Sequence, residues 1–187
     1  MASKQQPGER GLVALDWCNG NRSVLVDTEL SGLVLGMTLR TRAPDIYRAL
    51  IEATAFGARV IIENFEANGV PVDEVVVAGG LGRNELGMQI YADITGRPLS
   101  IVRSDQGPAL GSAIHAAVAA GVHPDIQLAA KRMGGTHRNV FVPDPGRQPT
   151  YDRLHREYLD LHDHFGRGGN DVMKRLREVA RSSGADT

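Results

Sequence analysis

Asp73 to Tyr91 reads Asp-Glu-Val-Val-Val-Ala-Gly-Gly-Leu-Gly-Arg-Asn-Glu-Leu-Gly-Met-Gln-Ile-Tyr, and it restricts the fold more than any other stretch of the chain. Val75, Val76 and Val77 form a short apolar run of β-branched residues, which suits a strand buried on both faces, as in a parallel sheet. Gly79 and Gly80 then remove the side chains at the strand's carboxyl end. Leu81 to Asn84 make a tight turn, and Glu85 to Ile94 follow helical spacing with Leu86, Ile90 and Ile94 on one stripe. Strand, glycine turn and helix start together can form a concave shelf. A flat ligand can lie on bare Cα atoms there, near helical N–H groups that have no intrahelical acceptor. The same glycines also fit a purely structural role, a tight turn with close helix-on-strand packing, and the local sequence leaves both readings open.

Two phosphate cradles are excluded at this shelf. A dinucleotide fingerprint needs G-x-G-x-x-G; Gly80-Leu81-Gly82 begins one, but its last position is Glu85. A side chain there obstructs helix–strand packing and adds negative charge beside a pyrophosphate. Gly82 and Gly87 have the glycine spacing of a P-loop, but Met88 and Gln89 stand where the lysine and hydroxyl belong.

Elsewhere the chain alternates short strands with helices. Leu12 to Leu15 and Gly32 to Leu39 read as strands, with a loop at Trp17 to Asp27 between them. Trp17 either faces a cleft or covers the edge of the core, and Cys18 reads as a small buried hydrophobe or an inert thiol. Pro44 suits the first turn of a long helix whose apolar face runs from Ile46 through Ala53, Phe56 and Gly57 to Phe65, ending at Asn68-Gly69. Glu52 lies beside that face, either directed into a cleft or solvated or salt-bridged. Leu99 to Val102 is a further strand. Ser104 or Asp105 can cap the helix that follows, in which small residues including Ala109, Gly111, Ala113 and Ala116 permit close packing. Gly121 to Thr136 reads as a loop carrying a short helix, Asp125 to Arg132, and the chain is extended from Phe141 to Pro149. Tyr151, Leu154, Tyr158, Leu161 and Phe165 mark another helix, and Gly166 to Asn170 separates it from a last one. His155, His162 and His164 lack the spacing of a defined metal site and are expected at the surface or paired; no metal ligands are assigned. Fraying is expected from Arg181 onward.

A net charge of -1 gives no electrostatic footprint for nucleic acid or an anionic membrane. The single cysteine cannot form an internal disulfide, and residues 1–10 lack the apolar core of a signal peptide. These features point to a cytoplasmic chain with neither nucleic-acid nor membrane partners.

Val75 to Gly80 followed by Asn84 and Met88-Gln89 resembles the adenosine segment of the FGGY carbohydrate kinases, and within them the ribulokinase branch. Leu15 to Arg22, Glu52 to Arg59, Ser104 to Gly111 and Leu161 to Gly168 resemble the same branch in the same order, so the likeness covers nearly the whole chain after Arg10. The resemblance implies an α/β fold, a partial actin-like ATPase or ribonuclease H-like domain with a mixed sheet, flanking helices and a helical carboxy-terminal tail. It divides the chain into a flexible lead-in (1–11), an incomplete nucleotide-binding domain (12–148) and a helical extension (149–187). It implies ATP and Mg2+ as cofactors, with Gly79 and Gly80 as a floor under the nucleoside, Asn84 bonded to it, and Gln89 as a further contact or a tie between helices. The implied reaction moves the γ-phosphate of ATP to the 5-hydroxyl of L-ribulose.

No Asp-x-Gly-Thr stretch or Gly-Thr-rich hairpin precedes Leu12. In this family the phosphate loops, most sugar contacts and the aspartate base are expected on preceding sequence, so no catalytic residue is assigned here. The chain is expected to be inactive alone, meeting the pentulose only through that other domain, and to self-associate or pair with a separate amino-terminal kinase domain. The same fold serving xylulose or glycerol, and a non-catalytic interaction remnant, are the other readings; a Rossmann dehydrogenase is disfavoured by Glu85.

Overall fold

The computed structural model describes residues 2–184, apart from the side chain of residue 139. The chain forms two compact units, one of Met1–Pro71 with Pro145–Thr187 and the other of Val72–Asp144.

The first unit is built on β1 (Val13–Leu15) and β2 (Leu33–Leu35), an antiparallel pair with Ala14 opposite Val34. Gly36, at φ +91, ends β2 well before Leu39, where the apolar run alone would carry it. Helix α1 (Ala43–Ala67) begins with Pro44 in its first turn, and Asp45 Oδ2 accepts the Arg42 N–H at 2.8 Å. It packs on β1 and on α5 (Gln148–Gly166), and α6 (Val172–Ser182) follows after the glycine break. Helix α5 thus belongs to the core of this unit and is not an appendage. Phe56 of α1 meets Tyr151, His155 and Tyr158 at ring-centroid distances of 6.3, 5.6 and 5.4 Å. Trp17 covers the far end of this ladder, edge-on to His162 at 5.5 Å, and is buried. Cys18 is exposed, which sets aside the buried-hydrophobe reading of its two alternatives.

A buried polar network locks the same unit. Arg48 Nε donates to Glu52 Oε1 at 2.8 Å, and its other nitrogens reach the carbonyls of Ala2 and Gln5 and the Tyr151 hydroxyl. Burial pushes the Glu52 carboxyl up while Arg48 pulls it back, so Glu52 is the salt-bridged carboxylate and not a cleft group. Residues expected to be a loose lead-in are therefore held: Ala2–Lys4 form a 3-10 turn, Ala2 is buried, and Gln5 bonds Asp45. His155 and His162 are buried and not at the surface, and each pairs with a carboxylate, Glu63 at 3.0 Å and Asp163 at 2.9 Å. Helix α6 runs past Arg181, which bonds Glu29 at 2.7 Å; the fraying expected at 185–187 lies outside the described residues.

Apolar side chains remain uncovered beside β2. Leu35 is 53% exposed, Met37 58%, and Leu39 wholly so. A groove of about 340 Å³ lies between Gly11, Val13 and Leu35 on one side and Leu154 and Leu161 of α5 on the other.

In the second unit β3 (Val75–Val77) pairs in parallel with β4 (Leu99–Val102), which pairs antiparallel with β5 (Thr136–Phe141). A register shift falls between Leu99 and Ile101. Helix α2 (Glu85–Thr95) lays Met88 and Ala92 on Leu99, with Val75, Val77, Tyr91 and Phe141 around them. Gly96 caps it at φ 65, the left-handed conformation that glycine takes without a Cβ penalty. Val76 is half exposed, where a strand buried on both faces was expected, because within this unit β3 ends the three-stranded sheet. Helices α3 (Gly107–Ala119) and α4 (Ile126–Met133) pack on each other, and Asp125 caps α4 by accepting the Leu128 N–H at 2.7 Å. Helix α4 falls where the short helix Asp125 to Arg132 was expected, whereas β5 from Thr136 to Phe141 was not read as a strand.

Candidate nucleoside shelf

At the carboxyl end of β3 the backbone turns through Gly79, with φ 85 and ψ -167, into a 3-10 turn at Gly80–Arg83. Only glycine adopts that geometry readily. A Cβ added at Gly79 or at Gly80 would meet no atom of the described residues within 4 Å. Close helix-on-strand packing therefore does not explain either glycine. Gly82 differs: its missing Cβ would lie 3.6 Å from Val77 and 3.7 Å from Ile101, in ordinary contact with the sheet.

Asn84 ends the turn and opens α2. Its Oδ1 accepts the Gly87 N–H at 3.1 Å, satisfying one of the helix's first amides and fixing the side chain beside the shelf. A Cβ at Gly87 would lie 3.1 Å from Asn84 Nδ2 and 3.2 Å from its Cγ, so the Asn84 side chain would have to give by a few tenths of an ångström. In the sequence Gly87 stands out only through its P-loop spacing from Gly82; its place three residues after Asn84 is the signal that links it to the cap.

Gln89 sits further along α2. Its Nε2 donates to Asp93 Oδ1 and to the Val142 carbonyl, both at 2.8 Å, and Asp93 also accepts the Asp144 N–H at 2.9 Å. This network ties α2 to the segment after β5 around a fully buried Asp93. Gly79, Gly80 and Asn84 thus lie in one continuous turn, while the Gln89 amide nitrogen is engaged by Asp93 and the Val142 carbonyl.

The turn after β4 supplies the shelf's second border. Ser104 Oγ accepts the Gln106 N–H at 3.1 Å, and α3 starts without a side-chain cap. Asp105 was expected to cap α3; instead its Oδ1 lies 3.4 Å from Arg83 Nη2. At Gly107 an added Cβ would lie 3.4 Å from that of Ala78, so the first turn of α3 stands against the exit of β3. The tight packing expected of the small residues farther along α3 is not realised: Ala109, Ala113 and Ala116 are exposed, and a Cβ at Gly111 would meet none of the described residues within 4 Å. Among the described residues no three His, Cys, Asp or Glu side chains gather as metal ligands. Among the described residues no helix is long and apolar enough to cross a membrane.

A strand, a bare-glycine turn and a helix start stand together at the carboxyl end of a parallel strand pair, where open α/β sheets form ligand crevices. Solved structures share this fold: xylulose kinase from Lactobacillus acidophilus aligns with a TM-score of 0.76 at 23% identity, covering 87% of this chain and 33% of that one. Gluconate kinase from the same organism aligns with a TM-score of 0.77 at 23% identity, covering 89% of this chain and 34% of that one. The family model for the FGGY family of carbohydrate kinases, C-terminal domain, matches residues 1–120, and the chain belongs to that family. Among relatives, ribulokinase of Mycolicibacterium smegmatis is 58% identical over 98% of this chain and 32% of its own length. Ribulokinase of Halalkalibacterium halodurans is 54% identical over 95% of this chain and 32% of its own length. The chain therefore spans about a third of the length of these relatives.

Proposed function

We propose that this chain supplies the nucleoside-binding wall of an ATP-dependent ribulokinase, which moves the γ-phosphate of ATP to the 5-hydroxyl of L-ribulose in pentose catabolism. The observation that carries the reading is the open space over Gly79 and Gly80, where an added Cβ meets no protein atom of the described residues within 4 Å. A bare surface of that kind suits a flat base and ribose pressed against the backbone. Gly79 and Gly80 form the floor. Asn84, held by its own cap bond, presents an amide at the edge. Gln89 acts indirectly by anchoring α2, and so Asn84, to the segment after β5.

ATP brings the transferable phosphoryl group; the chain's own residues bind and orient the nucleoside end of it. Mg2+ accompanies the triphosphate and is assigned no protein ligand here. The phosphate loops, sugar contacts and base belong to the part of the relatives' length that this chain does not span. Ribulokinase relatives at 58% and 54% identity favour L-ribulose over xylulose as the acceptor.

With one wall of a two-walled site, affinity is expected to be weak, in the millimolar range. Titrating the 15N-labelled chain with ATP and Mg2+ should shift amide resonances of Gly79 to Gly87 and of Gly107 to Gly111 before any others. Shifts centred elsewhere, or none at millimolar nucleotide, would overturn the proposal. Incubation with ATP, Mg2+ and L-ribulose should release no ADP above background, and sustained turnover would show that the chemistry does not need the unspanned part.

A further inference from the structure

Besides Glu85 in the first turn of α2, charge at the shelf is carried by a pair that neither strand geometry nor helix capping requires. Arg83 is the last residue of the turn that starts at Gly80, and its side chain is 72% exposed. Asp105 lies in the turn between β4 and α3, 80% exposed. Because β3 and β4 are adjacent and parallel, with Val77 opposite Ile101, the ion pair bridges the carboxyl ends of neighbouring strands, where open α/β sheets receive ligands. Among the described residues each is the other's sole side-chain partner, at 3.4 Å. Arg103, the other cation nearby in sequence, runs its side chain toward Gly135 on the β5 side, where a Cβ would lie 3.0 Å from its Cδ.

We infer that Arg83 reads the phosphate of the nucleotide and that Asp105 is the acceptor it exchanges for that phosphate. The inference rests on the shelf being the nucleoside site and adds a specificity residue to it. An exposed single-contact pair is weak in water and screened by salt, so it opens readily. A nucleoside di- or triphosphate offers the guanidinium a bidentate acceptor of higher charge than one carboxylate. Asp105 restrains Arg83 at the shelf's lip when no nucleotide is bound, and its negative charge also opposes a phosphate arriving there. The site thereby distinguishes a phosphorylated nucleoside from a free one with a residue that makes no contact needed for folding.

The test compares ADP and adenosine, each titrated into the full chain by 1H–15N spectroscopy at low and high salt. Arg83→Met should weaken ADP by about three- to tenfold at low salt and leave adenosine unchanged, and Arg83→Lys should retain part of the ADP affinity. Asp105→Asn should strengthen ADP by roughly two- to fivefold, again without effect on adenosine, and high salt should shrink both differences. Thermal midpoints should not move, since both side chains are exposed. Equal losses for ADP and adenosine would assign Arg83 a structural role, and unchanged ADP binding in Arg83→Met would assign it none; either result overturns the inference while leaving the shelf in place. Wild-type protein that binds neither ligand would remove the shelf reading and this inference together.

Discussion

Gly80→Ala separates a ligand surface from a packing requirement. The position has no positive φ, and its new methyl would meet no described atom within 4 Å. Folding stability should therefore hold or rise, by up to about 1 kcal/mol, as the unfolded chain loses freedom. The methyl projects into the space assigned to the nucleoside and holds a flat ring off the backbone. A gap of 0.5 to 1 Å already forfeits roughly a quarter to a half of the dispersion well at each contact. Lost contact across a base and ribose of this kind is expected to cost about 1–2 kcal/mol, or roughly tenfold in Kd. Gly79→Ala is the control: at φ 85 it should lose about 1–3 kcal/mol of stability as well as nucleotide affinity. Urea denaturation and nucleotide titration of both variants make the comparison. Gly80→Ala that binds ADP like the wild type, or unfolds as early as Gly79→Ala, would refute the reasoning.

Glu52→Ala leaves the buried Arg48 guanidinium without its carboxylate and should destabilise by about 3 kcal/mol, the low end for a broken buried pair because two carbonyls and Tyr151 still accept from Arg48; Arg48→Met with Glu52→Leu should recover most of this, and a single-variant loss under about 1 kcal/mol by urea denaturation would contradict it. Burial holds the His155 pKa below its ordinary value of 6.5 even though Glu63 pulls it upward, so the unfolded chain takes up a proton there before the folded one. The resulting stability is fully present above pH 6.5 and is lost as pH falls through the folded value; His155→Phe should flatten that part of a melting-temperature profile, and an unchanged slope would count against it. Exposed Leu35, Met37 and Leu39 beside the short β2 should drive self-association in sedimentation, reduced by Leu35→Lys with Leu39→Lys, whereas a clean wild-type monomer would show that the patch is innocuous.

Local chemistry fixed the elements whose signals lie within a few residues. Pro44 and Asn68-Gly69 mark the ends of α1, and the valine run with its two glycines marks the turn before α2. The turn through Gly79 and Gly80 and the helix start at Asn84 were legible for the same reason: neighbours in sequence, they need no distant partner to take up that geometry. What the pattern could not reveal was which groups would find partners far along the chain. Arg48 anchors Ala2 and Gln5, 46 and 43 positions away, so a polar amino terminus that looks loose is held. His155 and His162 interrupt an apolar stripe, yet they are buried because Phe56 stacks on one, Trp17 packs edge-on to the other, and a carboxylate satisfies one nitrogen of each. Gln89 meets Val142, 53 residues on, and Asp105 meets Arg83 across adjacent strands in place of capping its own helix. Periodicity and turn chemistry are set by backbone sterics over a few bonds, whereas a side chain's acceptor is chosen only once parallel pairing and helix packing have brought remote segments together.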